Sequence, residues 1–227
     1  MRPKIAVSIA ASTPSKASSM LRKASRLGAD LAEIRLDYLR KGGLVKKLVG
    51  TSEIPAIATF RSTRNGGARS VNEARRTEAL VAAAKAGFSY VDVEVETNKL
   101  DALVNELHGM GAETIVSYHN FSRTPSDAEL RKVLEVCRNS GARLSKLVTT
   151  ARQLKDNLRL LSFTQEACKK GGIICFGMGR VGLLSRIFSP IFGSAFAFAS
   201  LDEGKTVASG QISLSRMRRI YREMGYS

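Results

Sequence analysis

The sequence predicts an α/β fold, a single (β/α)8 (TIM) barrel occupying residues 1–227, and three observations predict it. Eight apolar, β-branched runs recur along the chain. Segments with helical periodicity separate them. Gly28, Gly87, Gly111, Gly141 and Gly171 punctuate helix ends just before the next run. Strict βα alternation implies a parallel sheet with right-handed crossovers. Eight units favour a closed barrel, with an open doubly wound sheet as the alternative. A length of 227 residues is near the short end for such a barrel, so its loops must be tight.

The predicted strands, in order, are 4–10, 30–36, 55–60, 89–95, 113–118, 143–149, 172–177 and 194–199. The segment 71–86 reads as a helix with Ala74, Leu80, Val81 and Ala84 near one face. The segment 125–138 does the same with Leu130, Val133, Leu134 and Cys137. Thr124-Pro125-Ser126-Asp127 suits its start, with Thr124 as N-cap, Pro125 in the first helical position and Asp127 in the first turn. A last helix carries the stripe Leu214, Met217, Ile220, Tyr221 and Met224, which packs on the barrel or on a partner.

Hydrophobic content of 44% and charged content of 25% are those of an ordinary globular chain. No uninterrupted apolar run is long enough to cross a membrane, and the N-terminus lacks a signal-peptide pattern. Cys137, Cys168 and Cys175 form no C-x-x-C pair, which argues against a disulfide framework or a zinc site and fits a reducing cytoplasm. The net charge of +16 is spread along predicted helices rather than gathered in a tail, and aromatics are only 6%, with no Trp. That pattern reads as a solvated basic surface that draws in a small anion rather than as a nucleic-acid footprint.

The polar residues that need explaining gather at predicted strand ends, where a barrel places its active site. Glu33, Arg35 and Asp37 alternate at the end of the second strand, Thr59 and Arg61 at the third, and Asp92 and Glu94 lie on the fourth. Ser117-Tyr118-His119 ends the fifth. Lys146 sits inside the sixth, in Arg143-Leu144-Ser145-Lys146-Leu147-Val148. Burying an ammonium in such a run is expensive. Desolvation lowers a lysine pKa, and the neutral amine is a nucleophile toward carbonyls. A structural ion-pair network is the competing account of these charges. His119, one of two histidines, is placed to move protons near the lysine. His108, in a predicted helix, is expected at the surface.

The strings Glu33-Ile34-Arg35-Leu36-Asp37, Thr59-Phe60-Arg61-Ser62, Ser117-Tyr118-His119-Asn120-Phe121, the strand bearing Lys146, Gly177-Met178-Gly179 through Ser185-Arg186, and Gly210-Gln211-Ile212 resemble type I 3-dehydroquinate dehydratase, in that family's order and spacing. The resemblance runs from Val7-Ser8-Ile9 to Gln211. It implies a barrel enzyme of the shikimate pathway that converts 3-dehydroquinate to 3-dehydroshikimate without metal or cofactor, in the cytoplasm and as a homodimer. Carried over residue by residue, Lys146 forms an imine with the C3 ketone. His119 moves protons in a syn elimination and assists imine formation and hydrolysis. Glu33 and Arg35 bind ring hydroxyls, and Arg61, Arg186 and Gln211 hold the carboxylate. Ser8 and Asp92 match positions that line or support the site.

Two positions depart from the family pattern. Asn65 stands where a glutamate usually assists the histidine, and Val207 stands where the closing loop usually has a serine. Thr206 or Ser209 would then supply that hydroxyl. The stretch 202–209 reads as a lid over the site, with Gly204 as a hinge.

Gly177-Met178-Gly179-Arg180-Val181-Gly182 matches G-x-G-x-x-G, with Asp202 about 20 residues on, as in a dinucleotide-binding protein. Too few strands follow to complete a mononucleotide-binding half. A Schiff-base aldolase acting on a sugar phosphate and a basic nucleic-acid-binding protein are the other rivals.

Overall fold

The computed structural model describes residues 2–40, 48, 50, 53–202 and 210–226. All eight expected runs are strands: β1 (Ile5–Ile9), β2 (Leu31–Arg35), β3 (Ala56–Thr59), β4 (Tyr90–Glu94), β5 (Glu113–Asn120), β6 (Leu144–Thr150), β7 (Gly172–Met178) and β8 (Ala197–Ser200). They pair in parallel in the order β7-β6-β5-β4-β3-β2-β1-β8. Ala195 N donates to Ile173 O at 2.8 Å, which ties the approach to β8 against β7 and nearly closes the ring. The fold is therefore the barrel, not the open sheet.

Seven α-helices are present among the described residues: α1 (Pro14–Arg26), α2 (Glu73–Lys85), α3 (Leu100–Gly109), α4 (Asp127–Asn139), α5 (Leu154–Ala167), α6 (Leu183–Phe188) and α7 (Leu214–Glu223). Most of the β2–β3 connection lies outside those residues. Before β5, Gly111 turns the chain at φ 83°, a conformation that costs a residue with a Cβ.

Three local expectations are corrected. α4 starts at Asp127 with Ser126 as its cap, because Glu129 three residues on closes a capping box. Thr124 is spent on the barrel instead, its hydroxyl bonded to Thr149 Oγ1 at 3.0 Å. In α2, capped by Asn72, Ala74 faces solvent and Ala83 joins Leu80 and Ala84 in the core. His108 is half-buried, not superficial, and its Nε2 lies 2.9 Å from the buried Thr114 hydroxyl.

The lumen explains where chemistry sits. Ala6, Leu31, Ile57, Ile115 and Leu144 form an apolar plug, with Tyr90 packed against it. Two residues further along each strand, on the same face, come Ser8, Glu33, Thr59, Ser117, Lys146 and, after Tyr90, Asp92. The barrel interior thus passes from apolar to polar within one strand repeat, moving toward the C-terminal ends. Outside the strands, a separate apolar layer fills the space under the helices. α7 lays Leu214, Met217 and Tyr221 on the barrel, and the Tyr221 hydroxyl donates to Ile187 O at 2.7 Å. No helix among the described residues is long and apolar enough to cross a membrane.

Candidate active site

A cavity of about 400 Å³ opens at the C-terminal end of the barrel, lined by Lys146, His119, Glu33, Arg186 and Gln211 among others. Lys146, 4% exposed, is held from three sides. Its Nζ donates to Asp92 Oδ2 at 2.9 Å and to Glu33 Oε1 at 3.4 Å, and lies 4.3 Å from the centre of the Phe198 ring. The register puts it level with Ser117 on β5, one lumen step below His119. The lysine is thus desolvated, as its strand suggests, but it is paired rather than bare, which offsets much of the cost of burial.

Asp92 is the hub beneath the cavity. It accepts from Arg61 Nη2 at 2.8 Å and from the Ser117 hydroxyl at 2.6 Å, while Arg61 Nη1 donates to Ser117 at 2.6 Å. Burial alone would raise its pKa, but Arg61 and Lys146 override burial and hold the carboxylate well below its usual range. The carboxylates act on the cation in return: burial works against Arg61, yet Asp92 and Glu94 raise its pKa. Glu94, in turn, is paired with Arg76 from α2.

Glu33 accepts from Ser8 at 2.9 Å and from Thr59 at 3.1 Å, and Ser8 accepts from Gln211 Nε2 at 3.2 Å. Burial would raise its pKa, but Lys146 and Arg35 more than offset this and lower it. Arg35 makes a two-pronged contact with Asp37, at 2.9 and 2.7 Å, and donates to Gly66 O at 3.1 Å. His119 stacks on Phe121 with ring centres 6.2 Å apart, and its Nδ1 has no hydrogen-bond partner among the described residues. Desolvation, then Arg61 and Lys146, push its pKa well below 6.5, so the ring is neutral at neutral pH.

Arg186 is 1% exposed and stacks over Phe176 at 4.4 Å. Burial lowers its pKa to about 10, which leaves it charged at neutral pH. The G-x-G-x-x-G string serves to place it. A Cβ on Gly182 would come within 2.5 Å of the Gly177 carbonyl, so the glycines let the start of α6 lie against the end of β7. Asn157 on α5, fully buried, clamps that junction by accepting from Ser185 N and donating to Val181 O, both at 2.9 Å. Asn157, Phe176 and Phe198 escaped the sequence reading. The alternation Phe196-x-Phe198-x-Ser200 along β8 was the available signal for Phe198.

Nine residues singled out in sequence therefore meet at or under one cavity: Ser8, Glu33, Arg35, Arg61, Asp92, His119, Lys146, Arg186 and Gln211. The lid residues Gly204, Thr206, Val207 and Ser209 lie outside the described residues. Asp202, at the root of that stretch, pairs with Lys23. No group of three or more His, Cys, Asp or Glu among the described residues is arranged to hold a metal ion.

A buried lysine, a neutral histidine and buried arginines facing one cavity at the strand C-termini define the site of a barrel enzyme. The chain belongs to the type I 3-dehydroquinase family, whose model matches residues 5–227. By that membership its activity is that of a hydro-lyase of the 3-dehydroquinate dehydratase type. It is 39% identical over 200 residues to the 3-dehydroquinate dehydratase of Dehalococcoides mccartyi, covering 88% of each chain. It is 36% identical over 219 residues to that of Methanococcus vannielii, covering 95% of this chain and 97% of the other. The type I 3-dehydroquinate dehydratase of Clostridium difficile superposes with a TM-score of 0.91 at 27% identity, covering 98% of this chain and 92% of that one. The enzyme of Aquifex aeolicus gives 0.83 at 30% identity, covering 97% and 98%.

Proposed function

We propose that this chain converts 3-dehydroquinate to 3-dehydroshikimate in the shikimate pathway by syn elimination through an imine on Lys146. The observation that carries the reading is the placement of Lys146 and His119 on adjacent strands, facing one cavity. A buried lysine amine at the base of a cavity is suited to attack a ketone. The crystallised Clostridium difficile relative is described with covalent modified comenic acid, which fits covalent chemistry in this family.

Lys146 attacks the C3 ketone of the substrate, and the carbinolamine loses water to give the imine. Protonated, the imine withdraws electrons and acidifies C2–H. His119, neutral for the reason given above, takes that proton. The C2–H electron pair flows toward the imine. The C1 hydroxyl then leaves as water, protonated by the histidine. Hydrolysis of the imine releases product and restores the amine. Asp92 orients Lys146 and offsets the charge of the protonated imine.

Glu33 and Arg35 are assigned to the ring hydroxyls. Arg186 and Gln211, with Arg61, are assigned to the carboxylate. Two Arg61 N–H groups are already committed to Asp92 and Ser117, so Arg61 has fewer left for the carboxylate. Ser8 holds Glu33 and Gln211 in register with each other. The chemistry asks for no cofactor. The chain acts as one catalytic unit, a cytoplasmic homodimer. The unpaired cysteines suit a reducing compartment, with the Cys137 and Cys175 thiols pushed up to about 12 by burial. Light scattering after size exclusion tests the dimer.

Turnover of 3-dehydroquinate by wild type and Lys146→Ala tests the reading. Wild type should form 3-dehydroshikimate, and the variant should form none while still binding product. Appreciable turnover by the variant would remove the imine.

A further inference from the structure

The cavity contains an amide where the family pattern has a carboxylate, and that amide is not loose. Asn65 is 6% exposed and ends a short 3-10 turn capped by Ser62, whose carbonyl accepts from Asn65 N at 3.0 Å. Its Nδ2 donates to Glu96 Oε2 at 3.4 Å. Glu96 does not line the cavity; it sits behind Asn65 on the turn that follows β4. That turn is fixed on both sides of Glu96, by Val95 N donating to Ser117 O at 2.9 Å and Thr97 N donating to Glu94 O at 3.0 Å.

An ionised carboxylate only accepts hydrogen bonds. Glu96 therefore selects one of the two orientations open to the Asn65 amide. The NH2 arm faces Glu96, which turns the carbonyl arm, Oδ1, away from it, and Asn65 is one of the residues that line the cavity. The cavity also holds His119, whose Nδ1 lacks a hydrogen-bond partner among the described residues.

We propose that Glu96 is a positioning residue for proton transfer: it acts through Asn65, fixing Oδ1 as an acceptor in the cavity that Asn65 shares with His119. This rests on the imine reading above. An oriented acceptor favours one histidine tautomer or holds one water beside it, work that an amide performs without titrating. A glutamine at 96 both donates and accepts, so it no longer dictates which way the Asn65 amide points.

The test is steady-state kinetics of wild type, Glu96→Gln, Asn65→Ala and the double variant, using substrate with hydrogen or deuterium at C2, with borohydride trapping of Lys146 in each. Glu96→Gln should lower kcat about fivefold, leave KM within about twofold, and raise the isotope effect on kcat. Adding it to Asn65→Ala should cost nothing further, because both changes remove one arrangement. Glu96 is solvent-exposed, so the melting temperature should stay near wild type. A Glu96→Gln enzyme with wild-type kcat, a loss of kcat without a larger isotope effect, or additive losses in the double variant would each overturn the proposal. If Lys146 is trapped in wild type, those outcomes concern Glu96 alone. If wild type itself gives no Lys146 adduct, the imine reading falls and takes the role of Glu96 with it.

Discussion

Lys146 Nζ on β6 donates to Asp92 Oδ2 on β4 at 2.9 Å, reaching past β5 through the lumen. The same carboxylate holds Arg61, so one buried anion keeps two buried cations in place.

Asp92→Asn should therefore damage stability as well as activity. It leaves two cations without their shared partner, and breaking a buried ion pair costs about 3–5 kcal/mol. Guanidinium unfolding reads the loss. The pH dependence has a definite sign. The folded-state pKa of Asp92 is depressed from its ordinary 3.8. Its contribution is thus complete above that value and is lost as pH falls below it toward the folded-state pKa. Wild type should lose stability on acidification through this range, and the variant should lose less. Equal acid sensitivity would show that Asp92 is not the group responsible.

His119 should act as a base that is already neutral at pH 7. Its pKa lies well below 6.5, so kcat/KM should stay flat as pH falls through 6.5 and drop only at more acid values. His119→Ala should lose roughly 10²- to 10⁴-fold in kcat, the usual range for a positioned acid–base group. A pH–rate profile with its acid limb at or above 6.5 would contradict the depressed value.

Gly182→Ala should loosen the junction that carries Arg186. The new methyl meets the Gly177 carbonyl at 2.5 Å, an overlap that costs about 1–3 kcal/mol. A lower melting temperature should accompany a higher KM, because α6 cannot shift without moving the arginine assigned to the carboxylate. Wild-type stability would show that the backbone yields there freely.

Salt should weaken substrate capture without slowing chemistry. Arg64, Arg152 and Arg180 are exposed on the loops after β3, β6 and β7, and those loops carry no Asp or Glu. For a carboxylate substrate, kcat/KM should fall roughly three- to tenfold between low and physiological ionic strength, with kcat unchanged. Replacing the three arginines with alanine should flatten that dependence. An identical slope in the triple variant would assign the effect to the overall charge of +16.

Much of this was legible in sequence because a barrel strand writes its two faces into alternate residues. The eight runs mark the strands, and the step from Ile115 to Ser117 or Leu144 to Lys146 marks where the lumen turns polar. The ends of elements were less legible. Thr124 and Ser126 both suit an N-cap, and the choice between them fell to Glu129, which closes the capping box only with Ser126. β5 runs on to Asn120 because its extra residues find partners on β6, as His119 opposite Val148. What stayed hidden depends on tertiary distance. Nothing local in the sequence says that Arg76 reaches Glu94, that Asn157 clamps α6, or that Phe198 lies under the lysine. The G-x-G-x-x-G string shows the converse: a familiar local pattern whose glycines answer here to helix–strand contact.

The most direct measurement is borohydride reduction of the wild-type enzyme during turnover of 3-dehydroquinate, followed by peptide mass mapping. The imine account predicts a reduced adduct on Lys146 and on no other lysine. Formation of 3-dehydroshikimate with Lys146 unmodified, or an adduct at a different lysine, would contradict it.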